Sequence, residues 1–247
     1  MAGLHVEQDG PILRVTLAKP ERRNAFDADL IRNLHKAFSD VGGARAVLLS
    51  GEGESFCAGA DIEWQRSAVD LSLEENVEDA MRLFEMMQAV DTCPAPVVAR
   101  VQGYALGGGS GLVAAVDIAI VAEDAIFGFS EVKLGIVPAV ISPFVLPKLG
   151  PGAARRYFLT GERFDAETAL RIGLVHEVAA DLDGAVDRIM GELLTSGPEA
   201  TREAKRLIRL APQGEDTAQL AARLRSGSEG QEGLRAFLER RKPAWLD

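Results

Sequence analysis

The sequence predicts an α/β protein with a helical C-terminal third, on three observations. Short apolar strand patterns alternate with helical ones through the first 150 residues, strand patterns nearly vanish after Pro151, and the composition is that of a folded globular chain. The 247 residues suffice for one large domain, or one domain with a small appendage. With 47% hydrophobic and 26% charged residues, disorder, collagen and a disulfide scaffold are excluded. Aromatic residues are few, with 10 Phe, 2 Trp and 2 Tyr, so the core must be built from Ala, Val, Leu and Ile. A net charge of −10 disfavours nucleic acid and anionic membranes as partners, and leaves room only for a local basic patch toward a small phosphorylated ligand.

The elements follow in order. Leu13, Val15 and Leu17 alternate with Arg14 and Thr16, the pattern of a half-buried strand. Asp27 is placed to cap a helix carrying Leu30, Ile31, Leu34, Ala37, Phe38 and Val41 on one face. Ala46 to Ser50 reads as a buried strand ending at the Gly51-Glu52-Gly53 turn. A helix is expected over about 74–91, with Val77, Met81, Phe84, Met87 and Val90 as a core stripe. Pro96 to Val101 is a strand, Leu112 to Val116 the start of a buried helix, and Ile118 to Ala122 a strand. Beyond Pro151, helices are expected over 152–160 and 165–172, the latter capped by Asp165 and stopped by Gly173. Ser226 to Gly230 reads as a mobile joint.

Cys57 and Cys93 lie in unrelated contexts without a CxxC pair, so neither a metal site nor a disulfide framework is expected, and a reducing compartment suits them. Met1 to Glu7 lacks the basic start and apolar run of a signal peptide. The longest apolar stretch, around Leu112 to Ala122, is cut by Asp117 and is too short to span a bilayer. The expected location is the cytoplasm.

Two segments can carry chemistry. In Ser50 to Ile62 a strand runs through small residues to Asp61, a helix cap. Small residues let a ligand approach the backbone, so N–H groups become available as donors. On spacing alone an ordinary tight connection into a capped helix satisfies the same pattern. In Gly107-Gly108-Gly109-Ser110-Gly111 a strand passes into a helix, which aims N–H groups and the positive helix end at whatever binds there. A dinucleotide fingerprint fails, because the third glycine position is Leu112 in one segment and Phe56 in the other, and no Gly-Lys-Ser/Thr follows either.

Taken together, these segments resemble the crotonase (enoyl-CoA hydratase/isomerase) superfamily. Phe56 to Ile62 is similar to its first signature, Gly103 to Gly109 with Asp117-Ile118-Ala119 to its second, and Phe127 to Pro138 to its third. Lys19 to Ala25 resembles the entry motif and Glu232 to Lys242 the C-terminal one. The resemblance covers nearly the whole chain. It implies the crotonase (ClpP/crotonase-like) fold: an α/β core of repeated ββα-type units over 1–190, and a helical region over 191–247 that shares in oligomer contacts and the CoA site. It also implies an acyl-CoA thioester substrate, no resident cofactor because CoA arrives with the substrate, and a homotrimer or dimer of trimers.

Residue by residue, the resemblance places the backbone N–H groups of Ala60 and Gly108 on the thioester oxygen, and makes Glu131 the catalytic carboxylate. The family's other glutamate falls at Gly111, where a glycine is expected to leave room for a water. Arg23, Ala25, Ala58, Ala60, Asp61, Ile62, Gly107, Gly108, Phe237 and Arg240 fall at substrate and CoA positions, with Arg23 toward phosphates, Ala58 and Ile62 toward adenine, and Arg240 often supplied by a neighbouring subunit. For each arginine a solvated surface charge is the plain alternative. Residues 64–74 and 137–144 are expected to line the acyl pocket. Ser130-Glu131-Val132, Pro138 to Pro143 and Gly111-Leu112-Val113 further resemble bacterial methylglutaconyl-CoA hydratases of leucine breakdown. The implied reaction is hydration of an enoyl-CoA, with an enoyl-CoA isomerase or a non-catalytic acyl-CoA-binding homologue as alternatives.

Overall fold

Parallel strands buried on both faces require helices on both sides, and the chain supplies them in sequence order. A computed structural model describes residues 2–210 and 214–246. Strands β1 (Leu4–Asp9) and β2 (Ile12–Leu17) form a hairpin; α1 (Ala28–Ser39), β3 (Ala46–Gly51), α2 (Ile62–Ser67), α3 (Leu73–Asp91) and β4 (Val97–Val101) follow. Then come β5 (Tyr104–Leu106), α4 (Gly108–Ala115), β6 (Ile118–Ala122), β7 (Ile126–Gly128), α5 (Ser142–Thr160), β8 (Arg163–Asp165), α6 (Ala166–Arg171) and β9 (Glu177–Ala179). Helices α7 (Leu182–Thr195), α8 (Pro198–Leu210), α9 (Glu215–Ser226) and α10 (Ser228–Glu239) complete the chain.

The larger sheet has the order β1-β2-β3-β4-β6-β9, parallel except for the β1–β2 hairpin. A smaller sheet, β5-β7-β8, pairs β5 with β7 in parallel and β7 with β8 antiparallel. Alternation divides the large sheet's side chains: Val47, Leu49, Val97, Ala99 and Val121 enter the main core, while Ala46, Leu48, Val98 and Ile120 meet Leu182, Val186 and Met190 of α7 on the other face. As the composition required, aliphatic residues and alanines carry both layers.

Most expected elements are present, and Asp27 and Asp165 cap α1 and α6 through the N–H groups of Leu30 and Thr168. Four differences have physical causes. Helix α4 begins at Gly108 rather than Leu112, because its glycines start the helix instead of preceding it. The stripe on α3 is core only at its C-terminal end: Met87 and Val90 are fully buried, whereas Val77 and Met81 are exposed. At Ser226–Gly230 the chain passes from α9 to α10 through Gly227, with Gly230 packed against the Leu224 carbonyl and Gln231 Nε2 donating to Arg225 O at 2.8 Å. Residue 190 falls inside α7, and because β9 ends at Ala179 the described residues are helical from α7 onward.

The entry loop before α1 is pinned by one side chain. Asn24 is fully buried; its Oδ1 accepts from Lys19 N at 2.8 Å, and its Nδ2 donates to Glu52 O at 2.9 Å and Ser55 O at 2.8 Å. It adopts a left-handed backbone (φ 55), which asparagine tolerates better than most residues. This clamp joins the loop leaving β2 to the loop leaving β3, and residues 56–61 lie between them and β5. Among the described residues no helix is long and apolar enough to cross a membrane.

Candidate active site

A hydrogen-bond census of residues 56–61 shows what that loop leaves free. Phe56 N donates to Gln102 O (2.8 Å), Cys57 N to Tyr104 O (2.9 Å), Ala58 N to Arg23 O (2.9 Å) and Asp61 N to Phe26 O (2.8 Å). Gly59 N serves the Cys57 thiol, which burial pushes up to about 12, so that it stays a protonated, inert packing group. Only the Ala60 N–H has no acceptor among the described residues.

The same holds across the gap. Leu106 N donates to Cys57 O (3.0 Å) and Gly107 N to Gly128 O (2.8 Å). Gly108 is the first residue of α4, and a helix leaves its first N–H groups without internal partners. Two glycines make the close approach possible. A Cβ on Gly59 (φ 95) would stand 2.7 Å from Leu106 O, and one on Gly109 would overlap the Cys57 carbonyl. Gly59 therefore packs against Leu106 and Gly107, which sets Ala60 and Gly108, each one residue further on, side by side. The helix is held from below: Ser110 Oγ donates to Ala105 O at 2.6 Å and accepts from Gly128 N at 3.2 Å.

Glu131 arrives from a third element. Strand β7 leads to Phe129, fully buried with its ring 5.0 Å from Phe158 and 5.9 Å from Phe164, and the 3-10 turn Ser130–Leu134 follows at once. This aromatic anchor fixes the carboxylate two residues beyond it. Glu131 Oε1 would stand 3.5 Å from a Cβ on Gly107, and Oε2 is buried with no hydrogen-bond partner. Burial pushes the Glu131 pKa above the usual carboxylate range.

These groups share a cavity of about 720 Å³. Of the residues expected at the site, Ala58, Ala60, Ile62, Gly107, Gly108 and Glu131 line it. Three others support the wall. Ala25 is buried behind it, Arg23 gives its carbonyl to Ala58 and lays its guanidinium 5.5 Å over the Tyr104 ring, and Asp61 caps α2 through Glu63 N (2.8 Å) while Arg22 Nη1 holds it at 2.9 Å. That ion pair keeps Asp61 below the usual carboxylate range. Phe237 and Arg240 do not line this cavity; Phe237 lies 81% exposed on α10 and Arg240 ends that helix.

The expectation that Gly111 leaves room for a water is overturned. Gly111 is buried, and a Cβ on it would stand 2.8 Å from Ile141 Cβ and closer still to Ile141 Cγ2, with Met87 Cε at 3.5 Å. Ile141 fills that space. Of the segments expected at the acyl pocket, Trp64, Val137 and Ile141 line the cavity, and α3 adds Asn76, Asp79 and Leu83 at helical spacing, which sequence reading did not single out. They are not members of the apolar stripe, and nothing in the periodicity marked them.

Comparison with known proteins places the chain in a family. The enoyl-CoA hydratase/isomerase family model matches residues 7–247, and the chain belongs to that family, the crotonase superfamily. An enoyl-CoA hydratase of Alternaria alternata is 32% identical over 247 residues, covering 95% of this chain and 81% of the relative. The crystal structure of an enoyl-CoA hydratase from Shewanella pealeana is 38% identical with a TM-score of 0.94, covering 98% of this chain and 96% of that one. AtuE of Pseudomonas aeruginosa is 36% identical with a TM-score of 0.94, covering 99% and 100%.

The buried carboxylate carries a stability consequence. With its folded pKa above the unfolded value, Glu131 binds its proton more tightly when folded, so its ionisation opposes folding above the folded pKa. Glu131→Gln is expected to raise the melting temperature at pH 7–8 by roughly 2–4 °C, about 1 kcal/mol in a chain of this size. Below about pH 4, where wild type is protonated in both states, the gain should vanish. Calorimetry across that pH range checks this, and a gain independent of pH would contradict it.

Proposed function

We propose that the protein is a hydro-lyase that adds water across the α,β double bond of an enoyl-CoA thioester. The observation that carries this reading is the convergence on one cavity of two unspent backbone donors, Ala60 and Gly108, and one buried carboxylate with an unpartnered oxygen, Glu131. The donors hold the thioester oxygen. Glu131, ionised, takes a proton from water as the hydroxyl adds to the β-carbon. The electron pair of the double bond passes to the thioester as an enolate, whose charge gathers between the two N–H groups and the positive end of α4. Protonated Glu131 then returns its proton to the α-carbon, and the net change is one water added. Burial suits one carboxyl group to both steps, because its raised pKa makes it a stronger base and a usable acid near neutrality.

Arg23 and Arg240 are assigned to the CoA phosphates, Arg240 from a neighbouring subunit, which makes the protein a homotrimer or dimer of trimers. Sedimentation velocity at micromolar concentration tests this; a monomer would contradict it. For the acyl group we favour the methylglutaconyl type, on the motifs at 130–132 and 138–143. Arg66 is the one basic side chain among the residues lining the cavity and suits a distal carboxylate, although it is bound to Glu63 at 2.5 Å.

Glu131→Gln keeps the shape and removes the proton carrier, so turnover on 3-methylglutaconyl-CoA is expected to fall by about 10²–10⁴ with acyl-CoA affinity nearly unchanged. In labelled water the wild-type product is expected to carry the label on the 3-hydroxyl oxygen. Conversion of 3-enoyl-CoA to 2-enoyl-CoA with no label in any product would establish isomerisation instead. Tight binding of acyl-CoA with neither reaction would establish a binding protein. Faster turnover of crotonyl-CoA than of 3-methylglutaconyl-CoA would overturn the acyl assignment alone.

A further inference from the structure

A two-carboxylate site would need a side chain at position 111, on the first turns of α4 and one helical turn beyond Gly107. The structure shows what stands there instead. Ile141 is 2% exposed, its Cβ lies 2.8 Å from where a Cβ on Gly111 would be, and the same side chain lines the cavity that holds Glu131. Behind it are Met87, whose Cε is 3.5 Å from that Cβ position, and the Phe84–Phe144 ring pair at 5.7 Å.

The residue is firmly held. Ile141 is the N-cap of α5, and its carbonyl accepts from both Phe144 N and Val145 N at 3.1 Å. A β-branched side chain on a fixed backbone has few rotamers, so it cannot swing aside for a ligand. The contact is also reciprocal: a side chain at 111 needs 141 to be small, and Ile141 needs 111 to be glycine.

We infer that Ile141 is a specificity-determining residue, the floor of the acyl chamber, and that it and Gly111 form a steric pair that keeps a second carboxylate out of the site. The inference rests on the acyl-CoA reading above. It ties two properties to one contact. The chamber ends at Ile141, which limits how far an acyl chain reaches toward Met87, and catalysis is left to Glu131 alone.

The chamber is tested by calorimetric titration of saturated butyryl-, hexanoyl- and octanoyl-CoA, which bind without reacting, into wild type and Ile141→Ala. Wild-type affinity is expected to stop rising with length, whereas Ile141→Ala should gain about tenfold for two further methylenes and change little for butyryl-CoA. Parallel length profiles in the two proteins would overturn the assignment of Ile141 while leaving the acyl-CoA reading intact. Failure of wild type to bind any of the three would overturn both.

The steric pair is tested by denaturation of Gly111→Ala, Ile141→Gly and the double variant. Gly111→Ala alone is expected to raise the unfolding equilibrium constant by about tenfold or more, and to be nearly neutral in the Ile141→Gly background. Equal damage in both backgrounds would show that the two residues do not compete for the same space.

Discussion

The site depends on backbone hydrogen-bond accounting at the carboxyl ends of β3 and β5. Buried backbone N–H groups are almost always paired, so an unpaired one facing a cavity marks a place built for a ligand. The ribbon of residues 56–61 satisfies this rule against the loop at 23–26 on one side and against β5 on the other, and leaves Ala60 free. Helix α4 leaves Gly108 free by its own geometry. Neither donor is a side chain, so both are as rigid as the backbone segments that carry them. Preorganised donors of this kind do not have to reorient as charge develops on the oxygen between them.

Holding α4 in place takes more than its own sequence. Eight residues, three of them glycine, form a weak helix in isolation. Ser110 ties its first turn to β5 and β7. At the other end Lys148 donates to Val116 O at 2.7 Å and Val113 O at 3.4 Å, satisfying carbonyls that the helix terminus leaves open. Burial pulls the Lys148 pKa down to about 8, opposed by Asp117 and Asp91 nearby. The polar contacts at both ends orient the helix, while the apolar residues between them fill the core. Glu131 stands beside the positive end of this helix, and burial outweighs the backbone hydrogen bond that would lower its pKa.

Much of this was legible in the sequence because it was local. Asp27 and Asp165 announce their helices through side-chain caps, and the apolar runs at 46–50 and 97–101 announce buried parallel strands. The glycine-rich segments and the Phe129-Ser130-Glu131 run revealed the family and the cavity wall. Three-residue strands such as β5, β7, β8 and β9 are too short to show a period, and β1, with one buried residue in six, shows no alternation to read. The relation of Gly111 to Ile141 was illegible for a different reason. It joins residues thirty positions apart, and the glycine signals space while only the fold shows what fills that space. The placement of Phe237 and Arg240 outside the cavity likewise follows from how α10 packs, which periodicity cannot give.

The central claim is that Ala60 and Gly108 polarise a thioester carbonyl through their backbone N–H groups. It is tested most directly by the isotope-edited infrared difference spectrum of bound butyryl-CoA, labelled with carbon-13 at the thioester carbonyl. Two hydrogen bonds in a cavity shielded from water weaken the C=O bond more than solvent does, so the carbonyl stretch should lie at lower frequency in the complex than in free ligand. A bound carbonyl at the same or a higher frequency than in water would contradict the account.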